Sequence, residues 1–258
     1  MIIEMPTPLV SILTVTYNAA DVIVPTIESV KAQTVSEYEF ILMDGGSSDD
    51  TVEIVRKADI PNARIFSSPD KGIYDAMNKA LYEAKGTYVI FLNAGDSFHS
   101  PDTLRLVKEA SEKNGVPGII YGQTDIVDNN RNYLGPRHLT APENLTLNSF
   151  REGMVVCHQA FFALRSFVPM FNLKYRFSAD YEWCIKCLQH SRKNIYIDEV
   201  LADYLEEGTT TRNRNASLKE RFRIMCYYYG TFPTILRHIS FFFRNLRRKR
   251  HSKNKSEK

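Results

Sequence analysis

Residues 70–96 read DKGIYDAMNKALYEAKGTYVIFLNAGD, a turn, a helix, a second turn, a strand and a polar loop in one stretch. Ile73, Ala76, Met77 and Ala80 recur at helical spacing and predict a helix over Gly72–Ala84. Thr87–Leu92 (TYVIFL) is short, apolar and β-branched or aromatic, as a buried strand is. The same alternation holds on the N-terminal side. Leu9–Tyr17 and Phe40–Met43 read as buried strands, and Arg64–Phe66 as a shorter one. Asp21–Gln33 and Ser47–Lys57 read as the helices between them, the second with Ser47 or Ser48 as cap. Strand and helix in alternation predict βαβ units, a mostly parallel central sheet and helices on its faces.

In such a sheet ligands bind where strands end and loops begin, at the carboxyl edge. The residues falling there are Asn18, then Asp44-Gly-Gly-Ser-Ser-Asp-Asp-Thr51, then Asp70-Lys-Gly72, then Asn93-Ala-Gly-Asp96. Carboxylates, small residues and glycines recur at one edge, the pattern of a site for a polar ligand with a metal. Asp44 can accept hydrogen bonds from a ribose or base, or can simply order a strand-to-helix turn. Asp96 suits Mg²⁺ or Mn²⁺, which prefer oxygen ligands, or caps the turn into a helix at Pro101. Lys71 offers phosphate a point charge, though a lysine exposed in a turn is ordinary.

Downstream, Gly115–Asp128 carries a strand (GIIYGQTDIV), a helix is expected near Glu143–Phe150, and Val155–Leu164 reads as a strand. His158 lies in that run, where a lone histidine is ordinarily a core residue with its hydrogen bonds met; it is also carried as a second candidate metal ligand. Asp180 opens a helix over Asp180–His190, where a carboxylate serves as a cap or as a general base toward an acceptor hydroxyl. Glu182, two residues on, diverges from it around the helix. Asn194–Tyr204 contains a further strand, and 206–216 (EEGTTTRNRNA) reads as a loop.

Composition bounds the rest. The chain has 258 residues, 43% hydrophobic, with 15 Phe and 14 Tyr, enough for a sizeable core. Net charge is +3, yet eight Lys or Arg and a single acid lie from Arg244 to the end, leaving 25 basic and 29 acidic residues in 1–243. An acidic body with carboxylate-rich loops repels a phosphate backbone, so no nucleic acid is expected as partner. Cys184 and Cys187 have metal-ligand spacing but lie within a helical run with no second pair, which favours a place in the core. No charged start followed by an apolar run marks a leader, and no apolar run approaches the ~20 residues that span a bilayer. No Walker loop, G-x-G-x-x-G or nucleophile elbow is present.

VSILTVTYN (10–18), SVKAQTVSEYEFILMDGGSSDDT (29–51), the 70–96 stretch and SADYEW (178–183), in this order, resemble the family 2 glycosyltransferases of GT-A fold. LNAGD and CHQAFF resemble a bacterial subgroup linked to capsule, exopolysaccharide and O-antigen assembly. The resemblance implies a 1–205 domain with a donor half, 1–114, and an acceptor half, 115–205, followed by an extension, 206–258. It implies donor-binding roles for Thr16, Tyr17, Asn18, Asp44, Asp70, Lys71 and Asn93, a metal, Mn²⁺ or Mg²⁺, at Asp96, and Asp180 as the base. The family pattern has acids at the positions of Asn93 and Gly95, so the metal motif is reduced here. A nucleotide-sugar donor, most often a UDP-sugar, a lipid-linked or glycan acceptor and inversion by single displacement are what the family brings. The rival reading is a non-catalytic nucleotide-sugar-binding protein with a degenerate metal motif.

The C-terminal segment adds a partner. Phe232, Ile235, Leu236, Ile239, Phe242, Phe243 and Leu246 follow helical spacing on one face, Pro233 suits the first turn, and Arg237, His238, Arg244, Arg247 and Arg248 fall largely elsewhere. An amphipathic basic helix of this kind packs on the domain or lies on an anionic membrane surface. The second option places the protein at the inner, cytoplasmic face of the cell membrane as a peripheral enzyme.

Overall fold

The structure is a computed structural model and describes residues 7–206 and 213–240. Strand β1 (Val10–Thr16) is buried along its whole length and sits between β2 (Tyr38–Asp44) and β4 (Tyr88–Phe91), parallel to both. β3 (Ala63–Ser67) pairs in parallel outside β2. Strands covered on both faces lack a polar side, which is why these segments read as continuous apolar runs. Beyond β4 the sheet continues through β8 (Phe161–Leu164), β6 (Ile119–Val127), β9 (Asn194–Leu205) and β5 (Ser97–Phe98), with β7 (Tyr133–Pro136) on β6. There β6 and β9 are parallel over a long register, while β8, β5 and β7 join antiparallel. By length of pairing the sheet is mostly parallel, as the alternation predicts.

Alternate residues of β1 and β2 feed two cores, as the two-residue period of a strand requires. Ile12, Phe40 and Leu42 pack with Ile23, Ile27 and Val30 of α1 (Ile23–Lys31), Val55 of α2 (Thr51–Lys57) and Leu104 and Val107 of α4 (Thr103–Asn114). Leu13, Val15 and Ile41 pack with Met77 and Ala80 of α3 (Ile73–Glu83) and with Trp183 and Leu188 of α5 (Ala179–His190). Cys184 and Cys187 are fully buried in that second core, and burial pushes both thiols well up. The pair is packing. α6 (Arg214–Tyr229) joins the same core through Ile224 and Met225.

Several expectations need correction. α2 starts at Thr51 rather than Ser47, because the Ser47 hydroxyl turns back to Asp44. The helix expected near Glu143–Phe150 is a 3-10 turn, Leu147–Glu152, closed by reciprocal Thr146 and Ser149 bonds. Its approach is held extended by Tyr121, whose hydroxyl donates to Pro142 O at 2.7 Å and accepts from Leu145 N at 3.1 Å. Only Phe161–Leu164 of the strand expected over 155–164 pairs in the sheet; His158–Ala160 forms a 3-10 turn. There the Met154 carbonyl accepts from Arg137 at 2.6 Å, and that of Cys157 accepts from Ala160 N. The loop read over 206–216 ends by Arg214, where α6 begins; 207–212 lie outside the described residues.

Candidate active site

The β1 and β2 loops are knitted together by their own polar groups. Asn18 adopts φ +49 and its side-chain oxygen accepts from Ser48 N at 2.9 Å, while its backbone N–H donates to Ser47 Oγ at 2.8 Å. Left-handed backbone of this kind is tolerated by Asn better than by most residues. Asp44 is fully buried. Its Oδ2 accepts from Gly46 N, Ser47 N and Ser67 Oγ, and its Oδ1 from Thr16 Oγ1 and Ser47 Oγ. Burial would raise this carboxyl, but the bonds from Ser47, Ser67 and Thr16 outweigh burial and hold it below the usual carboxylate range. Asp44 therefore acts by fixing the ends of β1, β2 and β3. Tyr17, 67% exposed, Asn18 and Ser48 are among the groups of this cluster that are exposed.

Asp70 reaches the same place from β3. Its Oδ1 accepts from Gly72 N at 2.7 Å, and its other oxygen lies where a Cβ on Gly45 would stand, at 2.4 Å. A side chain at Gly45 would displace the Asp70 carboxylate. Lys71 is exposed, with its backbone N–H on Asp75 at 3.0 Å.

A second cluster lies across the end of β4, joined to β1 where Thr14 Oγ1 donates to Leu92 O at 2.7 Å. Asp180, in the first turn of α5, is 9% exposed. It accepts from the Tyr74 hydroxyl at 3.1 Å, and His158 Nδ1 stands 3.4 Å from its other oxygen without hydrogen-bond alignment. His158 Nε2 is 3.3 Å from Asn93 Nδ2, and the buried Asn93 Oδ1 has no partner among the described residues. Burial would raise the Asp180 carboxyl; the adjacent His158 imidazole and then the Arg221 guanidinium hold it below its ordinary value. Glu182 faces elsewhere, toward Lys186 and Tyr228.

Asp96 is nearly inaccessible, accepting from Gln159 Nε2 at 2.7 Å and Leu205 N at 3.0 Å. It does not cap the following helix: β5 intervenes and α4 starts only at Thr103. Burial pushes its carboxyl up to about 6, against the donors from Leu205 and Gln159. Gly95 adopts φ +93 with Leu205 against it, which explains why no acid stands at that position. The Asp96 carboxylate, with lone pairs still free, the orphaned Asn93 oxygen and the His158 imidazole fit a hard divalent cation. Apart from them, His99, Asp125 and Asp203 bring ligand atoms within 4.8 Å of one another; Arg131 already lies 3.7 Å from Asp203.

The structure thus gathers Asp180, His158, Asn93 and Asp96 in one row, and Thr16, Asn18, Asp44 and Asp70 in an adjoining loop cluster. Sequence reading missed Tyr74, Gln159 and Arg221. Gln159 could have been found from its place beside His158. Tyr74 and Arg221 carry no local signal, since Tyr74 reaches Asp180 only through tertiary packing and Arg221 acts on it only by its charge.

Comparison with known proteins gives these geometries a context. The model of the family described as "Glycosyl transferase family 2" matches residues 11–169. Over 212 residues the chain is 32% identical to a "PGL/p-HBAD biosynthesis glycosyltransferase" of Mycobacterium tuberculosis, covering 79% of each. It is 28% identical over 223 residues to a chondroitin synthase of Pasteurella multocida, covering 83% of this chain and 22% of that protein. Among solved structures, S. aureus TarS 1–349 in complex with UDP-GlcNAc superposes with TM-score 0.69 at 18% identity, over 90% of this chain and 73% of that one. The mannosyltransferase PcManGT from Pyrobaculum calidifontis, in complex with GDP-Man and Mn²⁺, gives TM-score 0.62 at 18% identity, over 84% and 64%. At these identities the structural likeness is one of fold.

Proposed function

The chain belongs to glycosyl transferase family 2, with the GT-A fold, and on that premise we propose that it transfers a sugar from a nucleoside-diphosphate sugar to an acceptor hydroxyl with inversion. The observation that carries this reading is Asp180: a buried carboxylate, kept ionised, at the end of a row that runs through His158 and Asn93 toward Asp96. The acceptor O–H gives its proton to Asp180 as its oxygen bonds to the anomeric carbon. The bond from that carbon to the diphosphate breaks, and the electron pair leaves with the nucleoside diphosphate. Tyr74 orients Asp180, and no enzyme nucleophile is needed. Asp96, with Asn93 and His158, would hold Mn²⁺ or Mg²⁺, which would offset charge on the departing diphosphate.

Tyr17 and Asn18 face the nucleoside, on the loops that Asp44 and Asp70 brace, and Lys71 flanks the diphosphate. A UDP-sugar is the donor we favour; fold neighbours in complex with UDP-GlcNAc and with GDP-Man and Mn²⁺ support the donor class. The acceptor in this reading is a lipid-linked or other glycan, as in capsule, exopolysaccharide or O-antigen assembly; the relative named for PGL/p-HBAD biosynthesis supports a biosynthetic glycosyl transfer. We retain 1–205 as the transferase domain, with the donor half in 1–114.

No helix among the described residues is long and apolar enough to cross a membrane. The segment 231–240 is helical and turns Phe232, Ile235, Leu236 and Ile239 outward, 72, 42, 52 and 47% exposed. Its inward contacts are Thr234, Arg237 with Glu152, and His238 against Phe222. Phe242, Phe243, Leu246 and the basic run lie outside the described residues. The outward stripe supports a peripheral enzyme on anionic lipid at the cytoplasmic face of the membrane. The test of the activity is release of nucleoside diphosphate from a panel of donors in Mn²⁺ and in EDTA, with and without lipid-linked glycans. Release stimulated by an acceptor is expected; tight donor binding with no turnover for any donor would favour the non-catalytic rival.

A further inference from the structure

We propose that a cavity of about 300 Å³ between the 3-10 turn Leu147–Glu152, α6 and the segment 231–240 binds the phosphate group of a membrane lipid. The proposal rests on the membrane reading above and names the site through which it acts on a single lipid. Arg151, Arg237, Tyr229, Thr234, Met225 and Leu236 are among the residues lining the cavity.

Two arginines therefore line one space, and they are not equivalent. Arg237 is paired with Glu152 at 2.7 Å. Arg151 has no carboxylate within ion-pair distance among the described residues. Its guanidinium lies over the Tyr229 ring, 5.2 Å from the centroid, and its Nε is buried without a hydrogen-bond partner. A buried, unpaired N–H on a fixed cation is costly, and an anion with several oxygens is what satisfies it. The planar fork of arginine matches phosphate oxygens in pairs.

The apolar side of the cavity says that the phosphate belongs to a lipid. Met225 and Leu236 line it, and Leu236 also belongs to the exposed stripe with Phe232, Ile235 and Ile239. A headgroup seated on Arg151 leaves its hydrocarbon beside that stripe. The eight basic residues from Arg244 onward would add attraction to the same anionic surface.

The turn beside the cavity also touches α5, the helix of the candidate base. Phe150, next to Arg151, stacks on Tyr181 with centroids 5.8 Å apart, and the Tyr181 hydroxyl donates to Phe150 O. Tyr181 directly follows Asp180. The turn that carries Arg151 thus packs on the helix that carries Asp180.

The test uses the full chain and dihexanoylphosphatidylglycerol below its micelle concentration, titrated calorimetrically. Inorganic phosphate and dihexanoylglycerol serve as separate arms. The phospholipid should bind, with each half-ligand at least about tenfold weaker. Arg151→Gln should weaken phospholipid binding by at least about tenfold with the melting temperature monitored. Because Arg151 packs on Tyr229, Leu236→Glu, at a half-exposed position, is the second variant; its carboxylate at the cavity mouth should cause a similar loss. Wild-type affinity in both variants would overturn the site, and inorganic phosphate binding as tightly as the lipid would overturn its assignment to lipid. Sedimentation of the full chain with anionic vesicles is read in parallel. Vesicle binding combined with wild-type titrations in both variants would sink the cavity alone, whereas no vesicle binding would sink the membrane reading itself.

Discussion

Asp180 and Asp96 are both buried carboxylates of one site, yet their surroundings move their proton affinities in opposite directions. Against burial, the adjacent His158 imidazole and the Arg221 guanidinium hold the Asp180 carboxyl below its ordinary value, so it stays ionised. Replacing it by Asn keeps its shape and removes the proton acceptor. Asp180→Asn is expected to melt near the wild-type temperature, bind donor normally and lose transfer by about 10²–10⁴-fold; transfer within a few-fold of wild type would remove Asp180 from the chemistry. Asp96 is deeply buried, and burial outweighs its neutral donors Leu205 and Gln159 to push its carboxyl from 3.8 to about 6. The folded state then holds its proton more tightly than the unfolded chain. The resulting penalty is absent below about pH 4, grows as pH rises and is complete above about 6, where it reaches about 3 kcal/mol. In EDTA, Asp96→Asn should therefore gain melting temperature relative to wild type as pH rises from 4.5 to 7.5. A gap that stays flat across that range would contradict the burial argument. At pH 7.5, Mn²⁺ should raise the melting temperature of wild type and not that of Asp96→Asn.

At the scale of elements, the turn after β4 is held by contacts from three sides. Thr26 of α1 donates to Asp96 O at 2.7 Å and accepts from Gly95 N at 3.0 Å, while Arg131 donates to Gly95 O at 2.8 Å. Leu205, at the end of β9, covers Gly95 and donates to Asp96. A side chain at 95 would be strained by φ +93, and its Cβ would meet Leu205 Cδ2 at 2.6 Å. Gly95→Ala is expected to cost at least about 1 kcal/mol, read in a urea titration, and to weaken metal-dependent donor binding as the turn shifts. Unchanged stability would mean that this turn relaxes freely. α3 and α5 are likewise coupled: Tyr74 stacks on Phe171 at 5.5 Å, and Phe171 on Trp183 at 5.3 Å. The aromatic stack sets where the Tyr74 hydroxyl meets Asp180.

Over the whole molecule, the loop clusters at the carboxyl ends of β1–β4 form one side, proposed above for the donor, and α5, α6 and the Leu147–Glu152 turn form the other. The segment 231–240 hangs from that second side with its apolar stripe outward. A chain truncated after Thr231 loses the stripe and the basic run but keeps α6 and its core residues Ile224 and Met225. It should stay soluble, bind donor as the full chain does, and no longer sediment with anionic vesicles at low salt. Equal sedimentation of both chains would place membrane attraction elsewhere.

Residues 9–96 were legible because β1, β2 and β4 are buried on both faces and each helix on one, so apolar spacing alone reports the local structure. The carboxyl-edge acids followed from that order, and Asp180 from its motif. What only the tertiary structure decided depends on partners far apart in the chain. Tyr74 meets Asp180 across 106 residues, Gln159 meets Asp96 across 63, and Asp96 meets Leu205 across 109. The same is true of burial polarity: Asp44, a ligand-contact position by sequence, is enclosed by five donors drawn from two strands and a loop. The apolar stripe of 231–240 reads as one face of a helix by spacing alone. Whether that face turns inward is set by which side Thr234, Arg237 and His238 anchor, because side-chain spacing defines a helix face but not the surface it meets.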